Sequence, residues 1–240
     1  MKLNKTKIVA TLGPACSNRA MLKKIMKAGV DVFRINFSHA SHEETAKTIL
    51  NIRELSVELK IHASILGDLQ GPKIRLGIVK EKSYLKNGDV LEITTKALEA
   101  GNEKHVSINY LDFPKDIKPG EKVLINDGKL IFKVLETNKQ DSVMVEVVQG
   151  GLLESRKGVN LPNTNISLPA LTQKDIKDAL FAIKHEIDWI ALSFVRSKKD
   201  ISALAKLIKE KSLYKIPIIA KIEKPEAIEK MNEIIKEADG

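Results

Sequence analysis

The stretch KIVATLGPACSNRAMLKKIMKAGVDVFRINF, residues 7–37, decides the fold. It reads as strand, helix, strand. Lys7–Leu12 is a short apolar run that ends at Gly13-Pro14, a turn signal. Ser17 stands where an N-cap belongs. Leu22, Ile25 and Met26 then share a helical face, and Gly29 suits the stop. Val32–Phe37 is the second strand. Further along, a helix is expected over Glu43–Leu59, with Ala46, Ile49, Leu50 and Val57 at helical spacing. Ser64–Leu69 is a third strand, closed by Gly71-Pro72.

From Lys73 to Asn165 the pattern changes. No good helix is legible there. Short β-rich runs (KIRLGIV, VLEITT, KVLIN, KLIFKVLE, SVMVEVV) are punctuated by Asn87-Gly88, Asp127-Gly128 and Gly150-Gly151, which read as hairpin signals. After Pro162 and Pro169 the alternation resumes. Thr172 and Asp175 form a capping-box pattern, followed by Ile176, Ala179, Leu180 and Ile183 on one face. Trp189–Val195 is a fourth strand. Ser197 caps a helix bearing Ile201, Leu204, Ala205 and Ile208. Ile216–Ile222 is a fifth strand, and Pro225 opens a last helix with Ile228, Met231 and Ile235. Five β–α units thus flank an all-β insertion. Alternation with short loops implies a parallel sheet, either open and doubly wound or closed as an eight-stranded barrel. Thr11-Leu12-Gly13-Pro14 is not GxGxxG, which weakens the dinucleotide-binding reading.

The 240 residues suit one large domain or two smaller ones. With 43% apolar and 30% charged residues, general disorder and disulfide-dense miniproteins are excluded, and no apolar run is long enough for a transmembrane helix. The formal charge of +9 favours anionic partners. The lysines are dispersed and aromatics are only 4%, which argues against nucleic acid. Cys16 is the single cysteine, and the N-terminus lacks a secretory pattern, so a cytoplasmic protein is expected, with no membrane partner.

The strand ends are unusually polar. Arg34, Asn36 and Ser38 share a face by the period-two rule. Asp68, Ser193, Lys221 and Glu223 close the next three strands. In a barrel such residues would converge at the C-terminal mouth. The set suits a phosphate held together with a hard cation. HEXXH, GxSxG and GxxxxGK[ST] are all absent.

Several segments resemble pyruvate kinase: KIVATLGPAC (7–16), AGVDVFRINFSHA (28–40), DLQGPKIRLG (68–77), KGVNLP (157–162), LTQKDIKDALFAIKHEIDWIALSFVR (171–196) and IIAKIEKPEAIEKMNEII (218–235). The resemblance is collinear over the chain. It implies a TIM (β/α)8 barrel, of which this chain would hold the first five strands, with an inserted all-β lid domain after strand three. The expected division is 1–71 and 166–240 for the barrel part and 72–165 for the lid. It implies phosphoryl transfer between phosphoenolpyruvate and ADP, giving pyruvate and ATP, with magnesium (or manganese) and usually potassium.

By position, the resemblance assigns Arg34 to the transferring phosphoryl group and Lys221 to the developing enolate. Glu223 becomes a magnesium ligand. Asn36, Ser38, Asp68 and the Leu69 carbonyl match the potassium site. Arg75, Asp127 and Lys157 match nucleotide-phosphate contacts, and Asn36 is also counted among the substrate- and nucleotide-binding residues. Two departures are expected to matter. Lys73 stands where potassium-requiring members carry Glu, so a fixed ammonium is expected to make potassium dispensable. The family also continues past Gly240 with three more barrel strands, so the chain is read as an N-terminal portion with little turnover alone. The family's homotetramer need not hold for it. The competing expectation is a non-catalytic phosphate-binding fragment or assembly module.

Overall fold

In the computed structural model, which describes residues 5–240, the opening stretch folds as β1 (Val9–Thr11), α1 (Arg19–Lys27) and β2 (Val32–Asn36). The leader reading concerns in part residues 1–4, which lie outside the described residues. The cap of α1 is Asn18, not Ser17: the Asn18 side chain accepts the Met21 N–H at 2.9 Å. Leu22 and Met26 are buried as expected, and Gly29 takes φ +99° just past the helix. The helix α2 (His42–Leu59) and strand β3 (Ser64–Asp68) follow.

The buried face of α2 differs from the expected one. Thr45, Thr48, Ile49, Ile52 and Leu55 point inward, whereas Leu50 and Val57 are 59% and 80% exposed. Two threonines disguise the true stripe. The Thr48 hydroxyl is satisfied by donating to the Glu44 carbonyl one turn back, so it can be buried at little cost.

The described residues up to Pro72 pack with Pro169–Gly240 as one compact unit, and Lys73–Leu168 form a second. The second unit contains β4 (Tyr84–Leu85), β5 (Val90–Thr94), β6 (His105–Ser107), α3 (Phe113–Asp116), β7 (Lys122–Ile125), β8 (Leu130–Thr137), β9 (Ser142–Gln149), β10 (Gly151–Leu152) and β11 (Val159–Asn160). Its main sheet runs β11-β7-β8-β9-β5-β6 around its own apolar core. The short helix α3, with Pro114 in its first turn, corrects the expectation of no helix there. Of the three turn signals, Asp127-Gly128 joins an antiparallel pair, β7 and β8. Asn87-Gly88 instead lies between β4 and β5, and Gly150-Gly151 where β9 gives way to β10, so both fall at junctions with the separate β4–β10 pair. KIRLGIV contributes isolated bridges rather than a strand.

The first unit resumes with α4 (Gln173–Lys184), β12 (Trp189–Leu192), α5 (Lys198–Lys211), β13 (Ile218–Ala220), α6 (Pro225–Glu229) and α7 (Met231–Glu237). Thr172 and Asp175 form the expected capping box, and Ser197 with Asp200 forms another. The last helix is two, divided at Lys230. Ile234 is buried, while Ile228 and Ile235 are exposed. All five strands are parallel, in the order β1-β2-β3-β12-β13. The core lies between this sheet and its helices, with Phe33, Ile35, Ile65 and Ile190 on the helix side. Parallel register brings Thr11, Asn36, Asp68, Leu192 and Ala220 to one edge of the sheet. No described helix is long and apolar enough to cross a membrane.

Candidate active site

Asp68 ends β3 and is almost fully buried. Its carboxylate gathers the polar ends of the neighbouring strands. Arg34 donates from Nε to Oδ2 at 2.8 Å, and its Nη2 also bonds that oxygen. Lys221 Nζ lies 3.1 Å from Oδ1 and 3.3 Å from Oδ2. Ser193 Oγ donates to the Leu69 carbonyl at 2.5 Å and receives the Lys221 ammonium at 2.9 Å. Two cations share one desolvated carboxylate, and the arginine and lysine side chains each remain 29% exposed. The cluster is therefore a positively charged edge anchored on a buried anion. Such an edge can hold a phosphate by charge-assisted hydrogen bonds.

Glu223 sits beside it. Oε1 is 3.4 Å from Lys221 Nζ, and Oε2 accepts the Phe194 N–H at 3.0 Å. Phe194 holds φ +55°, a conformation that costs a bulky residue on the order of 1–3 kcal/mol. That backbone turn aims its N–H at Glu223. Lys224 Nζ lies 5.9 Å from the centroid of the Phe194 ring, and burial there holds its pKa below the usual lysine value. Asn36 ends β2 and Ser38 follows in a tight turn, with Asn36 Oδ1 accepting the Ser38 N–H at 3.0 Å. Beside them a cavity of about 800 Å³ is lined by Thr11, Pro14, Asn36, His39, Glu44 and Thr48, among others. That is within the size range of ligand sites.

In the second unit the three candidates come to one neighbourhood. Arg75 bridges Gly158 and donates from Nη1 to the Arg156 carbonyl at 3.0 Å. Lys157 pairs with Glu154 at 3.3 Å, and Glu154 also receives Asn126 Nδ2 at 3.2 Å. Asp127 is exposed in the left-handed turn next to Asn126. Lys73 is exposed at the start of this unit.

A sequence model of the pyruvate kinase barrel domain matches residues 3–240. The chain is 41% identical over 238 residues to a pyruvate kinase of Thermococcus litoralis, covering 99% of this chain and 50% of that one. This chain belongs to the pyruvate kinase family. It is 41% identical over 232 residues to a pyruvate kinase of Corynebacterium glutamicum, covering 96% of this chain and 48% of the relative. Against a pyruvate kinase of Thermotoga maritima the identity is 39% over 239 residues, with 99% and 51% covered. The chain spans about half the length of the curated relatives it matches.

For a pyruvate kinase chain the metal question turns on the oxygens at this edge. Glu223 is a part-exposed carboxylate beside the cationic cluster, and magnesium commonly takes one or two protein carboxylates with waters and substrate oxygens. Glu223 fits that role. No group of three or more acidic, His or Cys side chains suited to a metal occurs among the described residues. The potassium set fits poorly. Asp68 already carries Arg34 and Lys221, the Leu69 carbonyl accepts Ser193, and Asn36 Oδ1 accepts Ser38. A third cation on the same carboxylate would be repelled by the two resident ones.

The sequence reading did not single out Thr11, which receives Arg34 Nη1 at 2.9 Å; Ser193, read there as a polar strand end, joins the same cluster. Thr11 is the last residue of β1 and pairs in register with Arg34, so the strand-end rule applied to β1 would have found it. Gly71 belongs here too. It holds φ +69°, and a Cβ would lie 2.9 Å from Phe194 Cδ2 and 3.0 Å from Ser193 Cβ. Gly71→Ala is expected to cost about 1–3 kcal/mol, a melting-temperature loss of roughly 2–12 °C. Calorimetry showing an unchanged Tm would mean that Phe194 yields freely.

Proposed function

We propose that this chain carries the phosphate-handling and enolate-handling side of a pyruvate kinase, acting between phosphoenolpyruvate and ADP to give pyruvate and ATP. The observation that carries the reading is the convergence of Arg34 and Lys221 on buried Asp68, with Glu223 alongside. In the forward direction the bond from phosphorus to the enol oxygen breaks and a bond to the terminal oxygen of ADP forms. The released enolate then takes a proton at carbon to become pyruvate. Arg34 matches the spread of charge on the moving phosphoryl group with a planar fork of donors. Asp68 and Thr11 hold that fork in place. Lys221 opposes the charge that grows on the enolate oxygen, where a preorganised cation has most effect. Ser193 and Asp68 fix the ammonium. Glu223 would hold magnesium, which would supply positive charge beside the substrate oxygens.

The cavity beside Asn36 is read as the seat of the nucleoside, with Leu12, Pro14 and Ala40 as its apolar wall. The five parallel strands are read as part of an eight-stranded barrel. The second unit is read as a lid whose Arg75, Asp127 and Lys157 reach the nucleotide phosphates on closure. Potassium is expected to be dispensable, because of Lys73 and because Asp68 is already doubly paired.

Isothermal titration of phosphoenolpyruvate into the chain with magnesium tests this reading. Saturable binding that is weakened by Arg34→Met and unchanged on adding potassium is expected. A folded chain that binds no phosphoenolpyruvate would refute it. A gain in affinity with potassium would overturn the cation argument alone. Turnover by this chain alone, followed by coupling to lactate dehydrogenase, is expected to be small.

A further inference from the structure

The turn that carries Asn36 and Ser38 is held from behind by α4, an element with no role in the chemistry above. Lys174, in the first turn of α4, donates from Nζ to the Phe37 carbonyl at 2.6 Å and to Asp178 Oδ2 at 2.6 Å. Asp178 has a side chain only 4% exposed, and its other oxygen meets His42 Nε2 at 2.7 Å. His42 is the first residue of α2, so the two bonds grip both ends of the segment from Phe37 to His42. Aromatic packing closes the same contact. The His42 ring stacks on Phe181 of α4 at 4.3 Å, and Phe37 meets Phe181 edge-on at 6.0 Å. From the other side, the Phe37 N–H donates to the Asp68 carbonyl at 3.0 Å.

The physical reason for a brace is plain. A buried carboxylate is costly unless its oxygens are matched, and Asp178 has one cationic partner on its own helix and one ring partner across the gap. The pairing therefore specifies one distance between α4 and the β2–α2 turn. Asp175, wholly buried one residue beyond Lys174, does the same for the next loop: Oδ1 accepts the Gly71 N–H at 2.9 Å, just after the Asp68–Leu69 corner. Apolar periodicity cannot reveal these bonds, since Asp178 looks like a solvent-facing helix position and Asp175 like a cap of its own helix alone.

We propose that Lys174 and Asp178 are positioning residues that set the Asn36–Ser38 turn, and through it the substrate end of the site. The inference rests on the reading of Arg34, Lys221 and Asp68 as a phosphoenolpyruvate site, to which the turn is tied through the Phe37 N–H on the Asp68 carbonyl. Neither residue touches the reacting atoms. Lys174 acts through the Phe37 carbonyl, and Asp178 acts by holding Lys174 and His42 together.

The test uses Lys174→Met, Lys174→Arg and Asp178→Asn in the intact chain, with two readouts. Hydrogen exchange of the amides from Phe37 to His42 should quicken at least tenfold in Lys174→Met, while those of β9 in the second unit stay unchanged. Phosphoenolpyruvate affinity, titrated with magnesium, should fall about tenfold in Lys174→Met. Lys174→Arg should restore both, and Asp178→Asn, which keeps the shape and removes the charge, should show the same losses in milder form. Unchanged exchange in Lys174→Met and Asp178→Asn overturns the brace whether or not the chain binds phosphoenolpyruvate. Faster exchange with unchanged affinity also overturns the positioning claim. Failure of the unsubstituted chain to bind phosphoenolpyruvate counts against the function reading instead, and the exchange result then decides whether the brace exists. If Lys174→Met does not fold, the milder Asp178→Asn carries both measurements.

Discussion

Asp68→Ala should destabilise the first unit by about 3–5 kcal/mol, the usual cost of removing one partner from a buried charge cluster. In a chain of this size that is a Tm loss of roughly 6–20 °C. The cause is the company Asp68 keeps. Arg34 bonds it through Nε and Nη2, and Lys221 reaches both of its oxygens. Without the carboxylate, two part-buried cations face each other with no fixed anion between them. A mobile anion can then take its place. Inorganic phosphate should therefore raise the Tm of Asp68→Ala more than that of the unsubstituted chain, by mass action on the folded state. Asp68→Asn should lie between the two, since the amide oxygen still accepts hydrogen bonds but carries no charge. Thermal unfolding with and without phosphate measures all three. A variant as stable as the parent would show that solvent already screens the cluster. Equal phosphate effects in parent and variant would show that the cations are not the anion site.

Lys221→Met carries the second large effect. Phosphoryl transfer should fall by about 10²–10³-fold, the scale seen when one preorganised stabiliser of transition-state charge is removed. Affinity for phosphoenolpyruvate should change far less, because Arg34 keeps its bonds to Asp68 and Thr11. The split follows from placement. Lys221 stands at the end of β13 against Ser193 and Asp68, where it meets charge that develops as the bond breaks. Pyruvate formation, measured in any form of the protein that contains this chain and turns over, gives the rate, and titration gives the affinity. A variant that loses affinity and rate in equal proportion would make Lys221 a binding group rather than a stabiliser of the enolate.

Much of this was legible in the sequence. The β–α alternation showed through its apolar runs, because a parallel strand buried under helices must be nearly continuous in apolar residues. Arg34, Asp68, Lys221 and Glu223 were found because polar residues at the ends of such strands have few reasons to be there. Errors came where side-chain chemistry departs from hydropathy. Leu50 and Val57 look like core yet are exposed, while Thr45 and Thr48 face inward. Asn18 rather than Ser17 caps α1, because two adjacent residues can both fill that role and packing chooses one.

The amino-acid sequence by itself determined the order of elements, the inserted β unit and the family, since these depend on local pattern and on contiguous motifs. Only the tertiary structure decided which charges meet. Arg34 and Asp68 are 34 residues apart, and Lys221 is 153 residues from Asp68, yet they share one carboxylate. Lys174 and Phe37 are 137 residues apart and meet at 2.6 Å. Strand register and helix packing set those distances, and no local periodicity encodes them.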